Sequence, residues 1–134
     1  MAYLKVYVVD TVAFIRYLTD ELPSKADAVF KDAEKGKVQL LLPHIAIGEF
    51  IYISMKNRLK TINSEALIRE VLLTVETAGY ITPVDMDMTA WGHFLELEIP
   101  ELHDRMICAI ATSKNALVIS PDEEIGRHIE IVWD

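Results

Sequence analysis

The stretch LKVYVVDTVAFIRYLTDEL, residues 4–22, decides how this chain folds. Its first part, residues 4–9, is a run of β-favouring apolar side chains that stops at Asp10, which predicts a strand. Beyond this acid the apolar residues recur at the spacing of a helix, at Val12, Ile15 and Leu18. We therefore predict a helix over residues 11–22, directly after the strand.

The same alternation of strand and helix continues outward from this stretch. Further apolar runs predict strands over residues 38–42, 80–84, 116–119 and 129–133. Helical periodicity predicts helices over residues 24–36, 45–55, 63–79, 85–97 and 102–114. The predicted caps are a Ser24–Asp27 capping box, Asn63, and either Asp85 or Asp87.

Strands that alternate with helices imply right-handed crossovers and a mostly parallel sheet with helices on both faces. The chain has 134 residues, of which 51% are hydrophobic, and this is enough to close one core without disulfides. We therefore expect a single domain over residues 1–134 with a three-layer α/β/α sandwich fold.

Cysteine usage and hydropathy indicate the compartment. Cys108 is the sole cysteine and lies in an apolar run, so it is predicted to be a small buried hydrophobic residue in a reducing environment. The apolar stretches are shorter than the roughly 18–20 residues that span a bilayer, and the amino terminus is predicted as a strand rather than a signal peptide. We expect a soluble, cytoplasmic protein without a membrane segment.

The net charge restricts the partners. Thirteen Lys+Arg residues against 21 Asp+Glu residues give a formal charge of −8, which repels a polyanion such as nucleic acid. A nucleic-acid substrate would therefore require bound divalent cations, which reverse the local field.

Two acidic residues directly follow predicted strands, Asp10 and Asp122. Ligands of open α/β sheets bind outside the carboxyl ends of the strands, so these two acids are predicted to share a site. Each also has an ordinary structural interpretation, as a helix cap for Asp10 and as a turn residue for Asp122. Glu123 or Glu124 can replace or assist Asp122.

Two further acids lie in predicted helices. Glu49 is the only charged residue between positions 45 and 53, and a carboxylate there is costly unless a cation, such as a metal ion or Arg16, or a hydrogen-bond donor pairs with it. Asp104 lies in the first turn of its helix, where the helix dipole favours any acid. The ordered recurrence of all four acids is harder to explain by chance than any one of them, and it points to a carboxylate cluster.

Three stretches give this order a family resemblance: VVDTVAFIRYL, LLLPHIAIGEFIYI and ELHDRMICAIATSKNALVISPDEEI. Together they resemble the PIN-domain nucleases, particularly the short toxins of VapBC-type toxin–antitoxin pairs. The most telling part is D-x-x-I-x-A-x-A followed by L-V-I-S-x-D. The resemblance spans essentially the whole chain and implies a parallel α/β/α sandwich. It departs from the family at T-x-D, where this chain has Ser120 and Pro121 before the last acid.

The resemblance implies a metal-dependent endoribonuclease that hydrolyses RNA phosphodiester bonds and acts as a toxin. The family's acidic set, catalytic and metal-binding, falls on Asp10, Glu49, Asp104 and Asp122. Carboxylate oxygens suit Mg²⁺ or Mn²⁺. Thr11, Arg16 and Arg105 are candidate contacts to the substrate. The implied partners are RNA, a cognate antitoxin and a second copy of the chain in a homodimer.

Other functions fit parts of the pattern. One alternative is a PIN-like module that has lost catalysis and binds a protein or RNA partner. A receiver-type phosphoacceptor ordinarily needs adjacent acids after strand one and a late lysine, and neither is evident. The dipeptide His103-Asp104 also occurs in HD phosphohydrolases, but the many strands argue against that all-helical fold. The other histidines are predicted to be structural or on the surface: His44, His93 and His128.

Overall fold

The computed structural model describes residues 4–56, 59 and 61–134. The strands in these residues are β1 (Lys5–Val9), β2 (Val38–Pro43), β3 (Ile81–Val84), β4 (Leu117–Ile119) and β5 (Ile131–Val132). The helices are α1 (Thr11–Leu18), α2 (Ser24–Glu34), α3 (His44–Met55), α4 (Glu65–Thr77), α5 (Met88–Glu96), α6 (Leu102–Lys114) and α7 (Glu123–His128). Over the described ranges, none of these helices combines the length and the apolar character needed to cross a membrane.

The five strands form one sheet in the order β3-β2-β1-β4-β5, and all their pairings are parallel. In the register of the central strand, Tyr7 faces Leu40 of β2 on one side and Leu117 of β4 on the other. The chain builds the sheet first toward β3 and then reverses toward β5, so the order switches between β1 and β4. Ligands of open α/β sheets bind at such a switch point, outside the carboxyl ends of the strands.

Both faces of this sheet are buried. In β1, Tyr7 and Val9 belong to one hydrophobic cluster and Val8 to a second cluster on the opposite face. The first cluster packs helices α1 to α4, and the second packs α5, α6 and α7. Strands that are covered on both faces have continuous apolar sequences, and this explains the apolar run in β1. The predicted parallel α/β fold is confirmed.

Cys108 lies within the second cluster and is fully buried and free. Burial raises the pKa of its thiol to about 12, because a thiolate would lose its hydration there. The residue therefore packs as a small hydrophobic side chain, as predicted.

Several helix ends and caps differ from those predicted, as at α1, α2 and α4. Helix α1 ends at Leu18 rather than at residue 22, and Asp20 beyond it adopts a left-handed conformation with φ 57°. Helix α2 already includes Ser24 and follows Pro23 without a side-chain cap, so the predicted capping box does not form. The cap of α4 is Ser64, whose Oγ accepts from the Leu67 amide at 3.3 Å, and not Asn63.

The caps of two other helices are side chains that accept from the backbone three residues on. Asp87, rather than Asp85, caps α5 by accepting from the Ala90 amide at 2.8 Å. Asp10 caps α1 in the same way, accepting from the Ala13 amide at 2.8 Å. Each such bond satisfies an amide that has no partner inside its own helix.

Helix α7 was not predicted, because its sequence EEIGRH reads as a polar turn. It contains one buried residue, Ile125, which joins the second cluster. It also shortens the last strand, which covers Ile131–Val132 instead of residues 129–133. So short a helix is held by its single apolar anchor and by the cap that Asp122 provides.

A substitution at Phe50 tests the packing of α1 against α3. Its ring is fully buried and meets the Phe14 ring edge-on at 5.4 Å between centroids. We expect Phe50→Ala to lower the free energy of unfolding by about 3–5 kcal/mol in urea titrations, because it leaves a cavity. Tyr52→Ala is the matched control: this side chain on the same helix is 55% exposed and should cost about 1 kcal/mol or less. Equal losses would contradict the described packing.

Candidate active site

A cavity of about 250 Å³ opens at the carboxyl ends of β1 and β4, at the switch point of the sheet. Its ionisable lining consists of Asp10, Glu49, Glu101, His103, Asp104 and Asp122. The structure thus brings all four predicted acids around one space, from four different elements or their caps. It also adds a fifth carboxylate and a histidine. In the described part of the chain, no lysine or arginine lines this cavity.

Asp10 is the most deeply buried of these acids, with 5% of its surface exposed. It caps α1 and also forms a side-chain hydrogen bond with Ser120, whose Oγ accepts from the Asp122 amide at 3.0 Å. Burial raises the pKa of Asp10 to about 6, and the nearby charges of Asp122 and Asp104 act in the same direction, whereas its hydrogen bonds lower it. Asp10 therefore both caps α1 and lines the cavity.

Glu49 reaches the cavity from α3, where a hydrogen-bond donor of α1 and an imidazole of α6 contact its carboxylate. Thr11 Oγ1 donates to Glu49 Oε1 at 2.8 Å, and His103 Nδ1 lies 3.3 Å from Glu49 Oε2. The pairing with Arg16 considered from the sequence is absent; the guanidinium of that residue lies over the Trp133 ring, 5.6 Å from its centroid. The expectation that this carboxylate needs a partner is met by a hydroxyl and an imidazole.

Asp104 stands in the first turn of α6 and faces the other acids. Its pKa is raised to about 6 by burial first, and then by the charges of Asp122, Glu101 and Glu49. Because carboxylates that crowd together cannot all ionise freely, this is the direction expected for an acidic cluster without a cation.

Asp122 is the one acid of the SPDEE turn that lines the cavity, beside Pro121. Its Oδ1 accepts from the amides of Glu124 and Ile125 at 2.8 and 3.2 Å, which fixes the side chain at the start of α7. Glu124 turns instead to Arg127 and His128. Among the three acids considered for the fourth position, the geometry favours Asp122.

Of the candidate substrate contacts, only Thr11 lines the acidic cavity. Arg105 is directed to α5, where its Nε donates to the Phe94 carbonyl at 2.8 Å. Successive side chains of an α-helix point about 100° apart, so Arg105 cannot share the direction of its neighbour Asp104. Arg16 lines a separate cavity that adjoins this one, since Val12 belongs to both.

Sequence reasoning did not single out Glu101 and His103 for the site. Glu101 caps α6, because its Oε2 accepts from the Asp104 amide at 2.6 Å. His103 Nδ1 lies 3.4 Å from the other oxygen of the same carboxylate. The available signal was the E-x-x-D spacing at the start of α6, which places an acceptor at the capping position.

The donor chemistry of the cavity suits a hard divalent cation, since carboxylate oxygens are the ligands that Mg²⁺ and Mn²⁺ prefer. The described residues nevertheless contain no group of three or more His, Cys, Asp or Glu side chains arranged to hold a metal ion as they stand. A cation would bind here only after the carboxylates turn toward a common centre. A bound cation would offset the charges of Asp122, Glu101 and Glu49, which add to burial in raising the pKa of Asp104.

The profile of the PIN domain family matches residues 7–130, so the chain belongs to the PIN domain family. PIN domains are generally nucleases. The resemblance to VapBC-type pairs is confirmed at the level of the fold, which this chain shares with solved structures of such pairs. No curated protein matches the sequence.

Three solved structures of this type are similar to the chain. VapBC2 from Rickettsia felis, bound to a DNA fragment from its promoter, has a TM-score of 0.71 at 16% identity, over 96% of this chain and 99% of that one. DNA-bound VapBC from Salmonella typhimurium has a TM-score of 0.69 at 21% identity, over 96% and 97%. FitAcB from Neisseria gonorrhoeae has a TM-score of 0.63 at 15% identity, over 93% and 95%. At these identities the likeness establishes the shared fold.

The buried charge of Asp10 predicts a dependence of stability on pH in EDTA. The pKa rises from 3.8 to about 6 on folding, so the folded protein binds more protons and its free energy of unfolding falls as the pH rises through this interval. Asp10→Asn keeps an acceptor for the Ala13 amide but removes the charge. We expect this variant to be more stable than the wild type at pH 7 by about 2–3 kcal/mol, measured by urea unfolding.

Asp87→Asn is the matched control, because Asp87 caps α5 with the same bond length but has 52% of its side chain exposed. The bond from the Ala90 amide lowers the pKa of Asp87, so its charge favours the folded state. The variant should be less stable than the wild type at pH 7, and the two substitutions should have opposite signs. A destabilising effect of both would show that Asp10 is not held under strain by burial.

Proposed function

We propose that the protein is a metal-dependent endoribonuclease that hydrolyses RNA phosphodiester bonds and acts as the toxin of a toxin–antitoxin pair. The observation that carries this proposal is the convergence of Asp10, Glu49, Asp104 and Asp122 on one cavity at the switch point of the sheet. Membership of a family of nucleases supports the same chemistry. Because RNA is the substrate and Cys108 is free and buried, the proposal includes a cytoplasmic location.

In this proposal Asp10, Glu49 and Asp104 hold Mg²⁺ or Mn²⁺ directly or through water, and Asp122 completes the set or helps to hold a second ion. When bound, such a cation activates water and stabilises the charge on the phosphoryl oxygens. The residues of the chain supply the orientation. Ala13 and Ser120 fix Asp10, Thr11 fixes Glu49, and the amides of α7 fix Asp122.

RNA must approach an acidic cavity on a protein with a formal charge of −8. Positive charge for the phosphates would come from the metal and from cations outside the cavity. Arg16 is the better placed of the two candidate arginines, because its cavity adjoins the acidic one through Val12. Arg105 would first have to release the Phe94 carbonyl. Thr11 stands at the wall of the site itself.

Two protein partners belong to the proposal. The similar structures are named as VapBC complexes, and by analogy we propose a cognate antitoxin that covers the acidic cavity with a basic side chain. A second copy of the chain is proposed against α5, which exposes the apolar side chains Met88, Trp91 and Leu95 at positions three and four residues apart. Such spacing makes one apolar stripe on a helix, and exposed stripes mark interfaces.

A cleavage assay on structured RNA and tRNA tests the enzymatic proposal. We expect cleavage with Mg²⁺ or Mn²⁺ and none with EDTA. Asp104→Asn should lower kcat/KM by more than the roughly 10–100-fold typical of losing an outer-shell partner. The control is Asp85→Asn, because Asp85 is largely exposed and pairs with His44 outside the cavity. Equal cleavage by Asp104→Asn would overturn the assignment.

Metal binding can be measured separately from cleavage, by the thermal unfolding of the protein. Mn²⁺ at about 100 times its Kd should raise the free energy of unfolding by about 2.7 kcal/mol, and this gain should disappear in Asp104→Asn. The alternative function is a PIN-like binding module without catalysis. It predicts no stabilisation by Mn²⁺ and a biological effect that survives Asp104→Asn.

The proposed dimer is tested by light scattering. Leu95 is 79% exposed on α5, so Leu95→Glu should leave the fold intact while it converts a dimer into a monomer by placing a charge at the interface. Leu73→Glu is the matched control, since Leu73 is 59% exposed on α4. A wild-type monomer, or dissociation by both variants alike, would contradict an interface centred on α5.

A further inference from the structure

We propose that His103 is a positioning residue, which holds Glu49 turned into the acidic cavity, and that Glu101 holds His103 in turn. The inference rests on the proposed function, because the orientation of Glu49 matters only if that carboxylate receives a cation.

The first argument is the position of one ring nitrogen between two carboxylates. His103 Nδ1 lies 3.3 Å from Glu49 Oε2 and 3.4 Å from Glu101 Oε1. A nitrogen lone pair that faced both oxygens would be repelled by them, so the contact favours the tautomer with the proton on Nδ1. This proton therefore attracts both carboxylates.

The second argument is that both oxygens of Glu49 are engaged, each from a different helix. Oε1 accepts from Thr11 at the start of α1, and Oε2 faces His103 at the start of α6. A carboxylate held at both oxygens has a fixed direction as well as a fixed place. The same two helices carry the cap residue Asp10 and the acid Asp104, so these contacts set Glu49 in register with its proposed co-ligands.

The third argument is that the contact between His103 and Glu49 opposes the repulsion between Glu49 and the neighbouring acids. Glu49 and Asp104 line the same cavity, and the charge of Glu49 raises the pKa of Asp104, whereas His103 acts in the opposite direction. The Glu49 side chain is 31% exposed and so has solvent into which it can turn. Without the imidazole, one hydroxyl would have to hold it against its acidic neighbours.

Glu101 completes the arrangement because its two oxygens do different things. Oε2 accepts from the Asp104 amide at 2.6 Å, and Oε1 faces His103 Nδ1 at 3.4 Å. The residue that caps α6 therefore also fixes the ring two positions later. Its carboxylate sits at the rim of the cavity without belonging to the predicted acidic set.

Calorimetric titration of the whole protein with Mn²⁺ tests this inference. We expect His103→Ala to weaken Mn²⁺ binding about 10-fold, within the range for the loss of an outer-shell partner. His103→Asn should restore binding to within about 3-fold of the wild type, because the amide nitrogen of Asn is attached to the same side-chain carbon as Nδ1. His128→Ala is the matched control, since His128 pairs with Glu124 outside the cavity.

The outcomes separate the inference from the proposed function. If the wild type does not bind Mn²⁺, or Asp104→Asn binds it equally well, the proposed function fails and the inference fails with it. If the wild type binds Mn²⁺ and His103→Ala binds it as tightly, only the inference is overturned. An Asn variant as weak as the Ala variant would also overturn it, because the donor would then not be what matters.

Glu101→Gln keeps the test decisive if His103→Ala does not fold. Gln retains an acceptor for the Asp104 amide but loses the charge that faces the imidazole. We expect Mn²⁺ binding about 3-fold weaker, with the melting temperature of the metal-free protein maintained, in keeping with an outer-shell effect. Unchanged Mn²⁺ binding in this variant would overturn the role given to Glu101 and, where His103→Ala cannot be measured, the inference as a whole.

Discussion

Burial of the Asp10 carboxylate at the end of β1 is the constraint on which the site depends. Asp10 follows the central strand and therefore lies at the switch point, where Ala13 and Ser120 both form hydrogen bonds with its carboxylate. Ser120 also accepts from the Asp122 amide, so one short network ties the ends of β1 and β4 together. The hydrogen bonds oppose the cost of burial, but the pKa of about 6 shows that they do not cancel it. The fold thus holds a charge that a cation would stabilise.

The fold could be predicted because it is encoded locally, and the acidic set was predicted from the order of the four acids and from the family resemblance. A run of apolar residues that ends in an acid indicates a strand and its carboxyl end, as at Asp10, and one charge in an apolar helix is conspicuous, as at Glu49. Helix α7 could not be predicted, because only the burial of Ile125 against distant residues separates it from a turn. The catalytic role of the set stays a prediction, as does the extent of the single domain.

Side-chain directions were the least accessible from sequence. His103 contacts Glu49 only because the fold brings α6 within reach of α3, and no spacing along the chain reveals this long-range contact. The same limit applies to the arginines. Arg105 directly follows Asp104 in the sequence, and neighbours in a helix point in different directions. Its guanidinium therefore lies over the Phe94 ring, away from the acid. A helix separates neighbours, whereas the sheet edge unites residues far apart, so proximity in sequence was a poor guide to proximity in the site.

The strand order also determines when this site can exist during synthesis. Tyr7 in β1 pairs with Leu117 in β4, and Asp10 depends on Ser120, so the first and the last thirds of the chain meet at the cavity. Contacts between such distant segments form late, because the intervening loop must close before they contribute stability. A ribosome-bound chain that has emerged only as far as α5 therefore lacks two of its four acids and the neighbouring strand that buries the first. The acidic site proposed as the metal site is therefore complete only after α6, β4 and Asp122 have emerged.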